Sequence, residues 1–595
     1  MQPAHPIRSE LILGFVLILL VLLRWQMTPV ITDVRYTLGE SQEVTSEEKG
    51  IPFGFDRRDD LLTVSFTLSY RSWIRPSLFT VQADDCLGSM TVNGQPVSPD
   101  IIGPCDIDTA KDMRLGPSFS LDSNEVIAVI PDTGGWQGFR MMKVSNKDPL
   151  FLIVRLLTAL VFVLLSVVLI LHRLKTTEKR CLAMLFVLGV LLRLLYFEVT
   201  PFTVRSYDAE GHLDYVRYMS EHFSIPLIRD GWQYYQPPLY YALSAPVYSL
   251  AEAMQPQYGV SIRAVQLLSV FLSLLTLGVC LWISTMLFSM QQRTERLLFV
   301  AFFAVFSGVV LQSVRVNNDI LMQLLGFTAA ALCLHFWQSG RARSWYLLVL
   351  VLGLGILTKV NILLLLPVAF LTLVFQRSHT PRTKLIMGSI GLCILLSLTE
   401  WLYILRMFQD FNIDLVGNVG NLNGDLSIPN SLSAYLTFNP LQILHHPYND
   451  AFGDEARRMF FPEYLYRSAF FGEFNLGDSL RTFSRWMLLM GFFVSILAMC
   501  GFFSALRRSY RQALPVWFAF CALLFGHAFF RFLYPYSSSQ DFRYSVLLLV
   551  PVSYFALLQV SRSRGRLRQI LLWFLWIFVS CCAVYTITLS ILNPL

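Results

Sequence analysis

The chain has 595 residues, of which 54% are hydrophobic and 15% charged. Soluble domains average about 45–50% apolar and about 25% charged residues, so lipid is the solvent for much of this chain, in keeping with its mean hydropathy of +0.53. The net charge of +7 comes from short basic clusters between apolar runs, the pattern of cytoplasmic loops, and this excludes nucleic acid as a partner.

The first apolar run is Leu11 to Met27. Arg24-Trp25-Gln26 stands where a signal peptide would carry small residues, so residues 1–28 read as an uncleaved anchor helix. Residues 29–148 read as an inserted soluble domain. Its alternating run Leu61-Leu62-Thr63-Val64-Ser65-Phe66-Thr67-Leu68 predicts a strand, and Asn93-Gly94 and Gly134-Gly135 predict turns. Together these predict a jelly-roll-like β-sandwich. The stretch Asp84-Asp85-Cys86 to Val92-Asn93-Gly94 resembles a turn of the jelly-roll modules that accompany carbohydrate enzymes. Cys86 and Cys105 share this polar segment and form a disulfide if it is extracytoplasmic. The other eight cysteines lie in or beside apolar runs and read as small buried hydrophobes.

Residues 149–595 are expected to form a multi-helix membrane domain. A spanning helix needs roughly 20 apolar residues. Runs occur at 149–171, 181–198, 262–289, 297–314, 320–337, 345–358, 360–376, 384–407, 484–505, 513–533, 544–560 and 570–592. With the anchor they predict a polytopic α-helical membrane protein of about 13 transmembrane helices. Basic clusters at 172–180, 293–296, 341–343, 377–384, 507–511 and 562–568 all become cytoplasmic in a single orientation. That orientation puts the sandwich and the loops 199–261 and 408–483 outside. The segment 238–254, interrupted by Pro246, is expected to lie in the interface or to be re-entrant, because a spanning helix there would invert every later basic loop.

Polar residues gather on the predicted outer face. Asp208, Glu210 and His212 follow the 181–198 run; Asp208 and His212 share a helix face if a helix starts there, or Asp208 simply caps it. Gln236-Pro237-Pro238-Leu239-Tyr240-Tyr241 forms a rigid aromatic turn, suited either to sugar stacking or to an interfacial belt. Asn317-Asn318-Asp319 is a tight polar turn. Thr358-Lys359 breaks one long apolar stretch, with Lys359 either snorkelling to the interface or anchoring a phosphate. Arg543-Tyr544 stands at the mouth of a late helix, where arginine can grip phosphate bidentately.

These motifs in this order, across about residues 180–560, resemble the C-type glycosyltransferase superfamily, nearest the protein O-mannosyltransferase and aminoarabinose transferase branch. The resemblance implies a polyprenyl- or dolichyl-phosphate sugar donor and transfer with inversion to an extracytoplasmic glycan, lipid or protein acceptor. It implies Asp208 as general base with Glu210 as its rival, Lys359 and Arg543 on the donor phosphate, and His212, Gln236, Tyr240, Asp319 and Tyr544 lining the donor and acceptor cavity. Protein mannosyltransferases carry adjacent Asp-Glu in the first loop, whereas Ala209 separates the pair here, which weakens the case for a protein acceptor. No Cys/His cluster has metal-site spacing; a divalent cation, Mg or Mn, would assist but is not demanded. The expected location is the bacterial inner membrane, embedded in lipid, with the site on the periplasmic side. A transporter and a glycan-binding scaffold without catalysis are the competing readings. The first predicts internal repeats and midplane charges; the chain shows no clear repeat, its polar clusters sit at one surface, and the exceptions within helices, Arg155 and Arg193, read as snorkelling or structural pairing rather than a pathway.

Overall fold

The computed structural model describes residues 6–38, 53–56, 61–71, 76–83, 86–103, 111–114, 123–131, 136–145, 147–202, 204–205, 208–254, 258–376, 381–390, 392–393, 426–508 and 510–592. The chain divides into two compact units, one of residues 1–180 with 249–264, the other of residues 181–248 with 265–594.

The first unit contains the sandwich. Its strands are β1 (Val30–Leu38), β2 (Phe53–Asp56), β3 (Leu62–Ser69), β4 (Leu78–Ala83), β5 (Ser89–Val92), β6 (Gln95–Pro96), β7 (Lys111–Arg114), β8 (Ser123–Ile130) and β9 (Trp136–Val144). They form two antiparallel sheets, in the orders β1-β3-β8-β5-β6 and β2-β9-β4-β7. The alternation read from the sequence is realised in β3, where Leu62, Val64, Phe66 and Leu68 point inward and the intervening Thr and Ser residues point outward. Phe66 meets Phe139 of the other sheet with ring centroids 5.5 Å apart. The β5–β6 turn has Asn93 and Gly94 at φ 50° and 74°, the left-handed pair that a two-residue hairpin requires. Cys86 is disulfide-bonded; Cys105 and Gly134-Gly135 lie outside the described residues.

The Pro6–Met27 and Pro149–Arg173 helices pack against each other and belong to this unit. Glu10 pairs with His172 at 3.2 Å and with Arg173 at 3.5 Å. Asp148 caps the second helix: Oδ1 accepts from Phe151 N at 3.1 Å, while Oδ2 accepts from Ser77 N at 2.9 Å and Leu78 N at 3.2 Å. One carboxylate therefore satisfies the helix terminus and ties it to β4.

Among the described residues, nine helices are long and apolar enough to cross a membrane, and each coincides with a run read from the sequence. The other four of the thirteen expected runs differ. The 297–314 run is split into helices Arg293–Val305 and Ser307–Gln312 by Phe306, whose φ/ψ of −60°/123° is extended. The 345–358 and 360–376 runs form the shorter helices Ala342–Ile356 and Val360–Phe375. Most of 384–407 lies outside the described residues. The 238–254 segment is a 16-residue helix, Leu239–Met254, with Pro246 inside it.

The Phe306 break leaves carbonyls without helical partners, and in a membrane no water replaces them. Arg193 supplies the donors. Its guanidinium, 1% exposed, donates to Ala304 O at 2.9 Å, Phe303 O at 3.2 Å, Gly189 O at 3.1 Å and Ser273 Oγ at 2.8 Å. This arginine, in the middle of an apolar helix, is a structural strut. Arg193→Met should leave these acceptors unpaired and lower stability by about 2–4 kcal/mol, read as a fall in the thermal unfolding midpoint of the detergent-solubilised protein; an unchanged midpoint would show that the break needs no strut.

Candidate active site

Three chain breaks in the second unit are bonded together. The first is the Gln-Pro-Pro turn before the helix that begins at Leu239. The second is the Asn-Asn-Asp turn opening the Asp319–Ser339 helix. The third is the Thr358-Lys359 interruption. Asn318 Nδ2 donates to Gln236 Oε1 at 2.9 Å and to Thr358 O at 2.8 Å, and Leu239 N donates to Leu357 O at 3.0 Å. A residue that reads as part of a bland polar turn is thus the centre of the junction, satisfying backbone that the breaks expose.

Asp319 begins its helix, where the positive end of the macrodipole favours a carboxylate. Its Oδ1 lies 2.6 Å from Lys359 Nζ, with side-chain exposures of 5% and 12%, and Asn317 Nδ2 donates to Oδ2 at 3.3 Å. Lys359 therefore does not snorkel away from the protein; it is held in an almost dry ion pair. Its Nζ also lies 5.4 Å from the Tyr544 ring centroid, within cation–π range. Arg543 donates through Nη2 to Tyr544 Oη at 3.1 Å, and its Nε is 3.5 Å from Asp541 Oδ2. Lys359 is within electrostatic reach of Asp319, Arg543 and Asp208. Residues separated by hundreds of positions in the chain thus share one polar region.

Asp208 occupies the N-cap position of the Ala209–His222 helix in a left-handed conformation (φ 52°), and its side chain makes no capping bond. The capping role is absent and the carboxylate stays partly exposed. Its carbonyl accepts from His212 N at 3.1 Å. Glu210 is exposed. Gly211 lets the helix close on the following turn, since a Cβ there would meet Gln233 Cγ at 2.6 Å. His212 is buried, its Nδ1 2.6 Å from Tyr241 Oη, and Tyr241 stacks on Tyr215 at 3.8 Å. Burial first, then nearby Lys359, depress the His212 imidazole to about 3, against a smaller opposing effect of Asp319. Tyr240 turns to Ser269 Oγ, 3.5 Å away.

Tyr241, Asn318, Asp541 and Arg315 stand in the polar clusters of the sequence but were assigned no role there, and Glu473 was not singled out. Glu473 accepts from Tyr464 Oη at 2.7 Å, and burial followed by Asp541 push its carboxyl up to about 8. Arg315 stacks on Phe474 at 4.8 Å, and its Nε and Nη2 are buried with no hydrogen-bond partner among the described residues. An acid set in Phe470-Phe471-Gly472-Glu473-Phe474 was a usable signal, since a carboxylate among aromatics is costly to bury. Among the described residues no three His, Cys, Asp or Glu side chains stand together as a metal shell, and the Asp319 carboxylate already carries Lys359.

Residues 236–403 match the family described as dolichyl-phosphate-mannose-protein mannosyltransferase, and this stretch contains the three bonded breaks. The similarity to that family rests on this stretch of the membrane unit. No curated protein sequence matches the chain. Among solved structures, it is similar to the Archaeoglobus fulgidus oligosaccharyltransferase. The complex with zinc and sulfate is 15% identical at TM-score 0.39, covering 69% of this chain and 53% of that one. The apo form is 13% identical at TM-score 0.39, covering 70% and 56%. It is also similar to the arabinosyltransferase EmbB of Mycobacterium smegmatis, at 12% identity and TM-score 0.27, covering 94% and 64%. The chain spans about half the length of the oligosaccharyltransferase.

Two measurements follow from this geometry. Asp319→Asn and Lys359→Met should each destabilise the protein by about 3–5 kcal/mol by stranding a buried charge, while the double variant recovers much of the loss; additive losses in thermal unfolding would deny the pairing. With the His212 pKa depressed from 6.5 to about 3, the unfolded state binds the extra proton between these values. The contribution of His212 is full above pH 6.5 and falls as pH drops towards 3. His212→Gln should therefore lose less stability than wild type between pH 7 and pH 4.5; parallel pH profiles would place His212 in water.

Proposed function

We propose that this protein transfers a sugar from a polyprenyl- or dolichyl-phosphate donor to an acceptor hydroxyl on the outer side of the membrane, with inversion. The observation that carries the reading is the gathering of Asp208, the Asp319–Lys359 pair and Arg543 at chain breaks of the membrane unit, in and around the segment that matches the family.

The roles follow from charge. Asp208, uncommitted to capping, accepts the acceptor's proton as its oxygen bonds to the anomeric carbon; Glu210 is the alternative base. The bond from that carbon to the phosphate oxygen breaks on the opposite face, and the lipid phosphate departs as a stable anion, so no general acid is needed. An ammonium has three donors. Asp319 takes one from Lys359 and orients the others towards phosphate, and Arg543 adds a fork-shaped donor set. His212, neutral at physiological pH, with Gln236, Tyr240 and Tyr544, shapes the surrounding cavity. An almost wholly apolar cavity of about 860 Å³, lined by residues including Phe302, Phe438, Leu465, Phe470, Val552 and Phe542, reaches the residue beside Arg543. This supports seating a prenyl chain there with its phosphate at Arg543. The acceptor is a glycan, lipid or protein, on the periplasmic side of a bacterial inner membrane.

Asp208→Asn should lower turnover by about 10²–10⁴-fold without changing the unfolding midpoint, followed as sugar released from a labelled lipid-phosphate donor in nanodiscs. Near-normal turnover would remove Asp208 from the role. Lys359→Ala and Arg543→Ala should each weaken donor binding, and the double variant should lose less than the sum because both share one phosphate. Unchanged donor titrations in both single variants would move the phosphate site elsewhere.

A further inference from the structure

Beside the candidate base, one face of the Ala209–His222 helix is covered by aromatic side chains that the proposed reaction leaves unused. Gly211, Asp214, Tyr215, Tyr218 and His222 fall three or four residues apart and share that face. The turn of residues 231–234 lies along it. Trp232 packs over Gly211, where a Cβ would come within 3.1 Å of Trp232 Cε3. Tyr234 lies further along, its ring centroid 5.2 Å from that of Tyr215 and 5.8 Å from that of Tyr218, and its Oη donates to Asp214 O at 3.4 Å. Tyr218 in turn stacks on His222 at 4.3 Å. The aromatic ridge therefore begins next to the helix start. Gly211 is one turn in from Asp208, whose carbonyl accepts from His212 N at 3.1 Å, and residues three apart on a helix are neighbours at about 5–6 Å. From Gly211 to Tyr218 the helix advances about 10 Å, room for more than one sugar ring.

Tyr215 is buried, whereas Trp232 is 54% exposed and Tyr218 and Tyr234 are half-buried. A tryptophan left this open in a membrane protein either sits in the headgroup belt or holds a ligand. The surrounding charge separates the two. Residues 208–230 carry five acids, Asp208, Glu210, Asp214, Glu221 and Asp230, against Arg217 and Arg229, and Arg217 Nε is paired with Glu221 Oε1 at 2.8 Å. Such a face repels anionic headgroups and phosphates. It suits a neutral polyol. The electron-rich faces of the aromatic rings take the C–H face of a sugar ring, and the hydroxyls at the edge of that ring donate to exposed carboxylates such as Glu210 and Asp214.

We propose that Trp232, Tyr234 and Tyr218 form the acceptor subsite, a platform for a neutral glycan that carries its terminal hydroxyl to Asp208. The inference deepens the proposed transfer and rests on it for the direction in which the glycan lies. Its test needs no donor. Full-length protein in phosphatidylcholine nanodiscs is passed over immobilised neutral oligosaccharides of hexoses, pentoses and N-acetylhexosamines, with uronic-acid and phosphorylated oligosaccharides alongside. Neutral oligosaccharides should be retained in preference to the acidic ones. Trp232→Ala should weaken retention roughly tenfold and Tyr218→Ala roughly threefold, while Trp232→Phe, which keeps an aromatic face, should recover most of the loss. Phe223, 89% exposed but one residue beyond the helix, is off the ridge, so Phe223→Ser should bind as wild type. No neutral oligosaccharide retained, equal retention of the acidic ones, unchanged retention in Trp232→Ala, or an equal loss in Phe223→Ser would each overturn the platform. Trp232-dependent retention in a protein that releases no sugar from a labelled lipid-phosphate donor would uphold the platform and overturn the transfer instead.

Discussion

The buried ion pair of Asp319 with Lys359 is the interaction on which the polar centre of the membrane unit depends. Its 2.6 Å separation answers a desolvation cost that neither charge meets alone. A lysine in an apolar stretch costs about 2.5–3.5 kcal/mol on translocon scales, and an aspartate at a helix start is stabilised by the dipole but still loses its water. Paired, they hold two chain breaks against each other, and Asn318 bonds the same breaks to Gln236. The pair is thus both a structural clamp and, in the proposed reaction, a pre-aimed cation.

The same economy governs the rest of the membrane unit. Where a helix breaks in lipid, its freed carbonyls and amides must be met by protein. Arg193 meets the carbonyls before Phe306. Arg531 donates to Pro429 O, Met459 O, Asn430 Oδ1 and Tyr435 Oη, tying the Tyr510–Leu533 helix to the described part of the loop before the Asp478–Arg508 helix. Buried arginines here serve as donors for irregular backbone, and irregular backbone is where side chains can converge on a polar site instead of facing lipid. Arg543 differs, its partners being the side chains of Asp541 and Tyr544.

Much of this was legible in one dimension because lipid makes polarity conspicuous. The charge-poor runs mark the membrane helices, the period-two run at Leu61–Leu68 marks a strand, and the polar clusters at Asp208, Gln236, Asp319, Lys359 and Arg543 stand out from their surroundings. What escaped is what polarity alone does not encode. Tyr241 looks like its neighbour Tyr240, yet it is Tyr241 that meets His212. Phe306 carries no breaking signature; its break is set by packing and by Arg193, which is 113 positions earlier in the chain.

By itself, the sequence determined the class of the protein and the places where it departs from regular helix, because burying a charge in lipid or placing alternating residues on a sheet leaves a local pattern. Only the tertiary structure decided partnership. It set Lys359 against Asp319, freed Asp208 from capping and joined the Asn318 amide to two other breaks. Those choices depend on distances of a few ångströms between segments far apart in the chain, and Coulomb and hydrogen-bond energies that fall off over such distances have no signature in the spacing of residues along it.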